Sequence, residues 1–258
     1  MPEISSYKNG QFCWADLTTS DPRAARSFYT GLFGWSVQDI PMGDAGVYSM
    51  LQIRGKDVAA LAGMRDEEKK QGVSPHWNNY VSVSNADSAA KKAKSLGGTI
   101  VAPAFDVMDA GRMALIADPQ GAIFALWQAK KSIGAELNNE ANTMCWNELM
   151  TSDIEGARKF YSGLFGWNLK VSPEYTEVHL GAGDQGIGGM MQIRPEMQGM
   201  PPNWIPYFAV SDTDGAAKKA KAAKAHVGVP PTDIPNVGRF SVLADPQGAR
   251  FAIIQVKM

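Results

Sequence analysis

The chain carries one long motif twice. Phe28-Tyr29-Thr30-Gly31-Leu32-Phe33-Gly34-Trp35 returns as Phe160-Tyr161-Ser162-Gly163-Leu164-Phe165-Gly166-Trp167. The match runs back from Cys13-Trp14-Ala15-Asp16-Leu17 to Cys145-Trp146-Asn147-Glu148-Leu149, at a constant offset of 132 residues (Cys13 to Cys145). A second block, Pro75-His76-Trp77 through Trp127-Gln128, matches Pro202-Asn203-Trp204 through Ile254-Gln255 at an offset of 127 (Trp77 to Trp204). The second copy is therefore shorter between the blocks. A repeat this long implies tandem domains, not a solenoid of short units.

Composition fits that division. A chain of 258 residues can supply each of two domains with its own core. With 45% hydrophobic and 20% charged residues it has a soluble globular composition. A formal net charge of −1 gives no whole-chain pull toward nucleic acid or a membrane surface. The opening residues, Met1 to Lys8, lack the apolar core of a signal peptide, and no apolar run approaches the ~18 residues of a transmembrane helix. The only cysteines, Cys13 and Cys145, are repeat equivalents, so each belongs to the same strand of its own domain. They read as small buried hydrophobes in a reducing compartment, not as a disulfide framework. The expectation is a cytoplasmic protein without nucleic-acid or membrane partners; homodimerisation stays open.

Periodicity assigns the elements. Gln11 to Thr19 alternates as a strand. Ser20-Asp21-Pro22 opens a helix whose buried face carries Ala24, Ala25, Phe28, Tyr29 and Leu32, and Gly34 stops it. Short strands follow near Tyr48–Ile53 and Val58–Met64. After a polar stretch, the second block gives a strand at Tyr80–Val83, a helix Ser88–Leu96 with Lys91, Lys92 and Lys94 outside, and strands at Thr99–Ala102, Met113–Ala117 and Ile123–Gln128. Asp118-Pro119-Gln120-Gly121 turns between the last two. Each block thus reads strand–helix–strand–strand–strand. The expected division is a first domain, 1–130 (modules 11–64 and 75–128), a linker, 131–142, and a second domain, 143–258 (modules 143–193 and 202–258). The second copy repeats the order: strand Met144–Thr151, helix Ile154–Leu164, strand Tyr207–Val210, helix Gly215–Lys224 and the turn Asp245-Pro246-Gln247-Gly248.

Asp21 with Phe28-Tyr29…Gly34-Trp35, Asp153 with Phe160-Tyr161…Gly166-Trp167, and the two Asp-Pro-Gln-Gly turns resemble the vicinal oxygen chelate superfamily, the glyoxalase, bleomycin-resistance and extradiol-dioxygenase fold. The resemblance covers nearly the whole chain, twice. It implies an α+β architecture in which four βαβββ modules roll their strands into cups with helices outside. In metal-dependent members, His or Glu side chains in the cup hold a divalent ion that chelates two adjacent substrate oxygens. The resemblance implies ligand positions seven residues before the helix-capping Asp, on the second module's opening strand, and seven residues after the Asp of the Asp-Pro turn. Those positions hold Trp14, Asn78 and Ala125 in the first copy, and Trp146, Ile205 and Ala252 in the second. Such side chains do not suit a hard or borderline cation. The expectation is no metal and no cofactor.

If Trp14 points into the cup, alternation sends Asp16 and Thr18 inward as well, with Glu148 and Met150 following Trp146. An indole could stack a planar or cationic ligand while the carboxylate two residues on accepts hydrogen bonds or a proton. Alternatively, the tryptophan plugs a degenerate cup and the acid pairs with arginine, for which Arg112, Arg239 and Arg250 are candidates. His179, in a middle strand, could face a cup; His76 and His226 have no histidine in the other copy. Gly186-Ile187-Gly188-Gly189 reads as close strand packing and only weakly as a phosphate loop, since no helix follows it.

The leading expectation is metal-independent binding of a small organic molecule. Trp14, Trp146, Thr18, Asn78, Arg112, Arg239 and His179 are the candidate ligand-binding residues, with Asp16 and Glu148 as candidate acid–base groups. Two rivals stay open: a glyoxalase-like lyase or an oxygenase or hydroxylase using a cup carboxylate or another metal site, and vestigial cups with a protein-interaction role.

Overall fold

The computed structural model describes residues 3–257 apart from 184 and 198. The first half runs β1 (Phe12–Thr19), α1 (Pro22–Phe33), β2 (Ser36–Pro41), β3 (Val47–Ile53), β4 (Lys56–Gly63), α2 (Asp66–Lys70), β5 (His76–Ser82), α3 (Ala86–Ser95), β6 (Thr99–Val107), β7 (Gly111–Ala117) and β8 (Ile123–Ala129). The second runs β9 (Met144–Thr151), α4 (Ile154–Phe165), β10 (Asn168–Val171), β11 (Thr176–His179), β12 (Gly186–Gln192), β13 (Asn203–Ala209), α5 (Thr213–Ala222), β14 (His226–Ile234), β15 (Gly238–Ala244) and β16 (Arg250–Val256). The outcome is the expected α+β fold of paired βαβββ modules.

Each half folds its two modules into one eight-stranded mixed sheet, ordered β2-β3-β4-β1-β5-β8-β7-β6 and β10-β11-β12-β9-β13-β16-β15-β14. The opening strands of the two modules meet antiparallel at the centre, β1 on β5 and β9 on β13. Modules therefore pair within a half, which the sequence left undecided.

The helices start where short polar side chains can accept the free backbone N–H groups of the first turn. Asp21 accepts from Ala24 N and Asp153 from Gly156 N, both at 3.0 Å. Both helices end at a glycine in the left-handed region, Gly34 and Gly166. α5 stops at Ala222, two residues short of the sequence expectation, because Lys224 adopts φ 71° and breaks the helical run. The polar stretch after Met64 contains the short helix α2, and β5 starts at His76 rather than Tyr80.

The helices lie outside the cups, as expected, and their apolar faces are buried against the other half. The residues behind the two sheets form one shared cluster including Phe28, Tyr29, Phe33 and Trp35 from the first half and Phe160, Tyr161, Trp204, Phe208 and Phe251 from the second. Phe33 packs on Phe208 at 5.2 Å between ring centroids, and Phe12 on Trp204 at 5.0 Å. Trp35 donates to the carbonyl of Asn142 and Trp167 to that of Gly10, each at 2.8 Å. The repeated aromatic motif is thus the seam between halves. Aromatic side chains bury large areas, and such pairs add to that burial.

The connecting segment is also packed in, despite its polar composition. Ala135 N donates to Cys13 O at 2.8 Å, at the start of β1 before its pairing with β4 begins, and Tyr7 Oη donates to Ala135 O at 2.7 Å. Leu137 enters the shared core. No helix among the described residues is long and apolar enough to cross a membrane. Cys13 and Cys145 are free thiols.

Candidate functional site

The opposite face of each sheet carries its own separate cluster. In the first half it gathers Cys13, Trp14, Ala60, Tyr80, Ala125 and Trp127, with Tyr7, Tyr48, Met50, Met113 and Leu115 packed against them. In the second it gathers Met150, Ile205, Tyr207, Ala252 and Ile254, with Trp146, Met191, Met197, Met200 and Phe240. Trp14, Asn78 and Ala125, and their counterparts Trp146, Ile205 and Ala252, all belong to these cup faces, where the resemblance locates metal ligands.

At the centre of the first cup is the Asp16 carboxyl, 7% exposed. Its Oδ2 accepts from Tyr80 Oη at 2.7 Å and Tyr48 Oη at 2.8 Å. Its Oδ1 accepts from Asn78 Nδ2 at 2.9 Å, and the same amide reaches Thr18 Oγ1 at 3.1 Å. Trp14 Nε1 donates to Tyr48 Oη at 3.0 Å. An indole nitrogen can only donate, so Tyr48 accepts from Trp14 and directs its single proton at Asp16. The order Trp14 to Tyr48 to Asp16 is therefore fixed.

The second cup repeats the chain. Trp146 Nε1 donates to Tyr175 Oη at 2.9 Å, Tyr175 Oη donates to Glu148 Oε2 at 3.0 Å, and Tyr207 Oη donates to Glu148 Oε1 at 2.8 Å. Ile205 and Met150 replace Asn78 and Thr18, so this centre lacks the amide and hydroxyl partners of the first. β11 turns His179 and Glu177 toward this cup, with His179 Nε2 3.2 Å from Glu177 Oε1.

Burial sets the titration of both acids. Loss of solvent pushes the Asp16 carboxyl above the usual carboxylate range, against the opposing pull of hydrogen bonds from Tyr80, Asn78 and Tyr48 and the charge of His76. The Glu148 carboxyl is raised for the same reason, opposed by Tyr207 and Tyr175. The Tyr48 and Tyr80 phenols are pushed far upward by burial and by the neighbouring Asp16, so they remain protonated donors.

The strands explain why these side chains converge. Asp16 lies opposite Asn78 and Thr18 opposite His76 across the β1–β5 ladder, so alternation delivers His76, Asn78 and Tyr80 to the same face. Tyr48 arrives from β3, which pairs with β4 next to β1. In the second half, glycines make room: a Cβ on Gly189 would lie 1.9 Å from Tyr175 Oη, and one on Gly186 would lie 2.8 Å from the Trp146 ring. Gly186 to Gly189 is strand β12, packed beneath these rings, and not a phosphate loop.

The arginines are placed elsewhere. Arg112 grips Asp87 with two nitrogens, at 2.7 and 3.0 Å, and also contacts Asp106. Arg239 does the same with Asp214 and Asp233. Asp87 and Asp214 sit in the first turns of α3 and α5, so both arginines point to the helix side of the sheet, away from the acids they were expected to meet. Strand parity is the reason: Met113 and Leu115 take the cup face of β7, leaving Arg112 on the other. Arg250 is exposed at the start of β16.

Sequence reasoning missed the four tyrosines. Tyr80 and Tyr207 are matched within the second repeated block, and Tyr48 and Tyr175 share its offset of 127. That pairing was the available signal, hidden because the middle strands align only after the gap is placed before Tyr48.

A metal finds little here. Among the described residues no group of three or more His, Cys, Asp or Glu side chains could hold an ion. Around Asp16 the neighbours are protonated phenols, an amide and a hydroxyl, a donor set that does not fit a divalent cation. Two surface hollows of about 200 and 180 Å³ lie outside the centre of either cup, one beside Arg158, Tyr175 and Arg194, the other between α3 and the end of α4.

Known proteins agree with this architecture. The chain is 45% identical over 259 residues to "Putative glyoxylase CFP32" of Mycobacterium tuberculosis, covering 99% of this chain and 98% of that protein. It is 32% identical to "Anthracycline biosynthesis protein DnrV" of Streptomyces peucetius, covering 98% and 96%. The fold is similar to that of the 2,3-dioxygenase LapB from Pseudomonas sp. KL28, with TM-score 0.66, 13% identity and coverage of 98% and 94%. It is also similar to the Mn(II)-bound glyoxalase from Novosphingobium aromaticivorans, with TM-score 0.67, 11% identity and coverage of 96% and 82%. Residues 11–126 and 127–253 each match the same family, and the chain belongs to the Glyoxalase/Bleomycin resistance protein/Dioxygenase superfamily.

Proposed function

We propose that the protein binds a small organic molecule in the cup of its first half, without a metal ion, using Asp16 as the polar anchor. One observation carries this reading: a buried carboxyl held by Tyr48, Tyr80 and Asn78 on a sheet face otherwise lined by aromatic and methionine side chains. Apolar walls with a few convergent polar groups are what small-molecule sites are made of. Trp14 and Trp127 supply flat surfaces, and Thr18 and Asn78 supply hydrogen-bonding groups beside the acid. The name of the Streptomyces peucetius relative, an anthracycline biosynthesis protein, agrees with a small organic ligand. The second cup, with Trp146, Glu148 and His179, is a weaker candidate because Ile205 and Met150 remove its polar side groups. Two free cysteines whose thiols are pushed up by desolvation, Cys13 buried and Cys145 half-buried, support a cytoplasmic setting.

The test is elemental analysis of the purified protein together with saturation-transfer NMR against soluble indole and naphthalene derivatives. Binding should survive dialysis against a chelator and fall in Trp14→Ala and Asp16→Asn variants. Stoichiometric zinc, nickel, iron or manganese required for binding, or full affinity in both variants, would overturn the reading.

A second reading is acid–base catalysis on the bound molecule, as a lyase or hydroxylase. The raised Asp16 carboxyl beside two phenol hydroxyls favours it, since a general acid–base group works best near the operating pH. A glyoxylase name among the relatives points the same way. Turnover of a bound compound that disappears in Asp16→Asn while binding persists would select it.

A further inference from the structure

We infer that the first cup takes a planar aromatic molecule carrying a protonated amine, with the ammonium group on Asp16 and the ring system against the surrounding aromatic side chains. This rests on the reading of that cup as a small-molecule site and names the chemistry of its ligand.

The first argument is a missing counter-charge. Asp16 is buried, and no lysine or arginine among the described residues is paired with it. Arg112, the partner that the sequence offered, is turned to the helix side and held by Asp87 and Asp106. A buried carboxyl without a cationic partner is costly, and an incoming cation supplies the partner directly.

The second argument is hydrogen-bond polarity. Tyr48, Tyr80 and Asn78 all direct protons at the carboxyl, with Trp14 donating to Tyr48 behind them, so the surroundings favour its ionised, acceptor-only form. Oδ2 takes two donors and Oδ1 only one, which leaves Oδ1 able to accept another. A ligand carboxylate or phosphate would meet like charge here. An ammonium group offers both the donor and the charge, giving the stronger charge-assisted bond.

The third argument is the wall. Tyr48 and Tyr80 touch the acid, and Trp14 and Trp127 pack in the same cluster, with Tyr80 and Trp127 edge-to-face at 6.2 Å. Ring faces attract cations, and several around one acid make an aromatic cage. Beyond them Phe105, opposite Met113 on the cup face, is 41% exposed and offers open apolar surface for a ring system.

Binding should be proton-linked. The groups facing Asp16 are Trp14 and Thr18 on β1, Tyr48 on β3, Ala60 on β4, His76, Asn78 and Tyr80 on β5, and Ala125 on β8. His76 is the one base among them. Burial raises the Asp16 carboxyl against the hydrogen bonds that hold it, and an ammonium favours the ionised form, so amine affinity rises with pH.

The experiment compares 1-naphthylmethylamine with its neutral isostere 1-naphthalenemethanol by calorimetry and saturation-transfer NMR, on the full chain. The amine should bind about tenfold more tightly or better, the low end of what a hydrogen bond to a charged group contributes. That preference should grow as pH rises above the ordinary carboxylate range, through the raised Asp16 titration, while the amine stays charged. Asp16→Asn should abolish the preference, and Glu148→Gln should leave it intact. Equal affinity for both probes, or a preference that does not change with pH, overturns the amine assignment while leaving the site standing. A preference lost only in Glu148→Gln overturns the assignment to the first cup. Failure of both probes to bind overturns the small-molecule reading and this inference with it. The pH dependence is read on the unmodified protein, so misfolding of a variant does not remove the test.

Discussion

Tyr29, on the helix of the first half, donates its phenol proton to Asp245 Oδ2 in the closing turn of the second half, at 3.0 Å. Tyr161 makes the reciprocal bond to Asp118, also at 3.0 Å. Each aspartate uses its other oxygen to hold its own turn: Asp245 Oδ1 accepts from Gln247 N and Ala249 N, and Asp118 Oδ1 from Gln120 N and Ala122 N. Each tyrosine oxygen also accepts an indole N–H, from Trp77 or Trp204. The Asp-Pro-Gln-Gly turns are therefore sockets for the opposite half.

Tyr29→Phe leaves Asp245 Oδ2 and the Trp77 indole without this partner inside a buried interface. A loss of about 1–3 kcal/mol is expected, the cost of stranding buried polar groups. Denaturant unfolding of Tyr29→Phe and Tyr161→Phe checks it. Because one core spans both halves, a single transition monitored by tryptophan fluorescence and circular dichroism is expected.

Asp16 contributes to the pH dependence of stability with a definite sign. Its folded pKa is raised, so the unfolded chain loses the proton first as pH increases, and stability falls from the unfolded carboxylate range, near 3.8, up through the higher folded value. Asp16→Asn removes this contribution. The difference in melting temperature between variant and parent should shift in favour of the variant as pH rises from about 4 to 8. A difference independent of pH would contradict the burial of this acid.

Gly189→Ala should unseat Tyr175. The added methyl would coincide with the phenol oxygen, so the ring must move and release both Glu148 and Trp146. Overpacking of this kind costs about 1–3 kcal/mol. The measurable signature is destabilisation with a changed Trp146 emission, while ligand binding at Asp16 persists.

Arg112→Ala separates the observed site from the one expected of the sequence. With the guanidinium on the helix side, affinity for any ligand of the first cup should stay within about twofold, well inside the tenfold that 1.4 kcal/mol represents. Titration of the variant with a ligand of the parent protein checks this.

Much of the site could be read ahead of the structure. Alternation from Trp14 placed Asp16 and Thr18 in one cup and Glu148 in the other, because strand parity is a local property. His179, which the sequence left only as able to face a cup, lies beside Glu177 on β11. Parity failed for Arg112 and Arg239 because it gives two faces and no origin; the cup face of β7 was fixed only by Met113 and Leu115 packing beside Trp14. The tyrosines were missed because Tyr48 and Tyr80 meet Asp16 across strand pairings 32 and 64 residues apart in sequence.

By itself the sequence determined the duplication, the module order, the helix caps and the residues at the cup centres, since all of these follow from repeats, short-range hydrogen bonds and the two-residue strand period. Tertiary structure alone decided that modules pair within each half, that the apolar faces of the helices meet in one core shared by both halves, and that each acid is bridged by two tyrosines instead of an arginine. Those outcomes depend on which faces meet across long separations, and local preferences carry no information about that choice. Only after β1, β3 and β5 are laid side by side does Asp16 acquire the partners that define what it can bind.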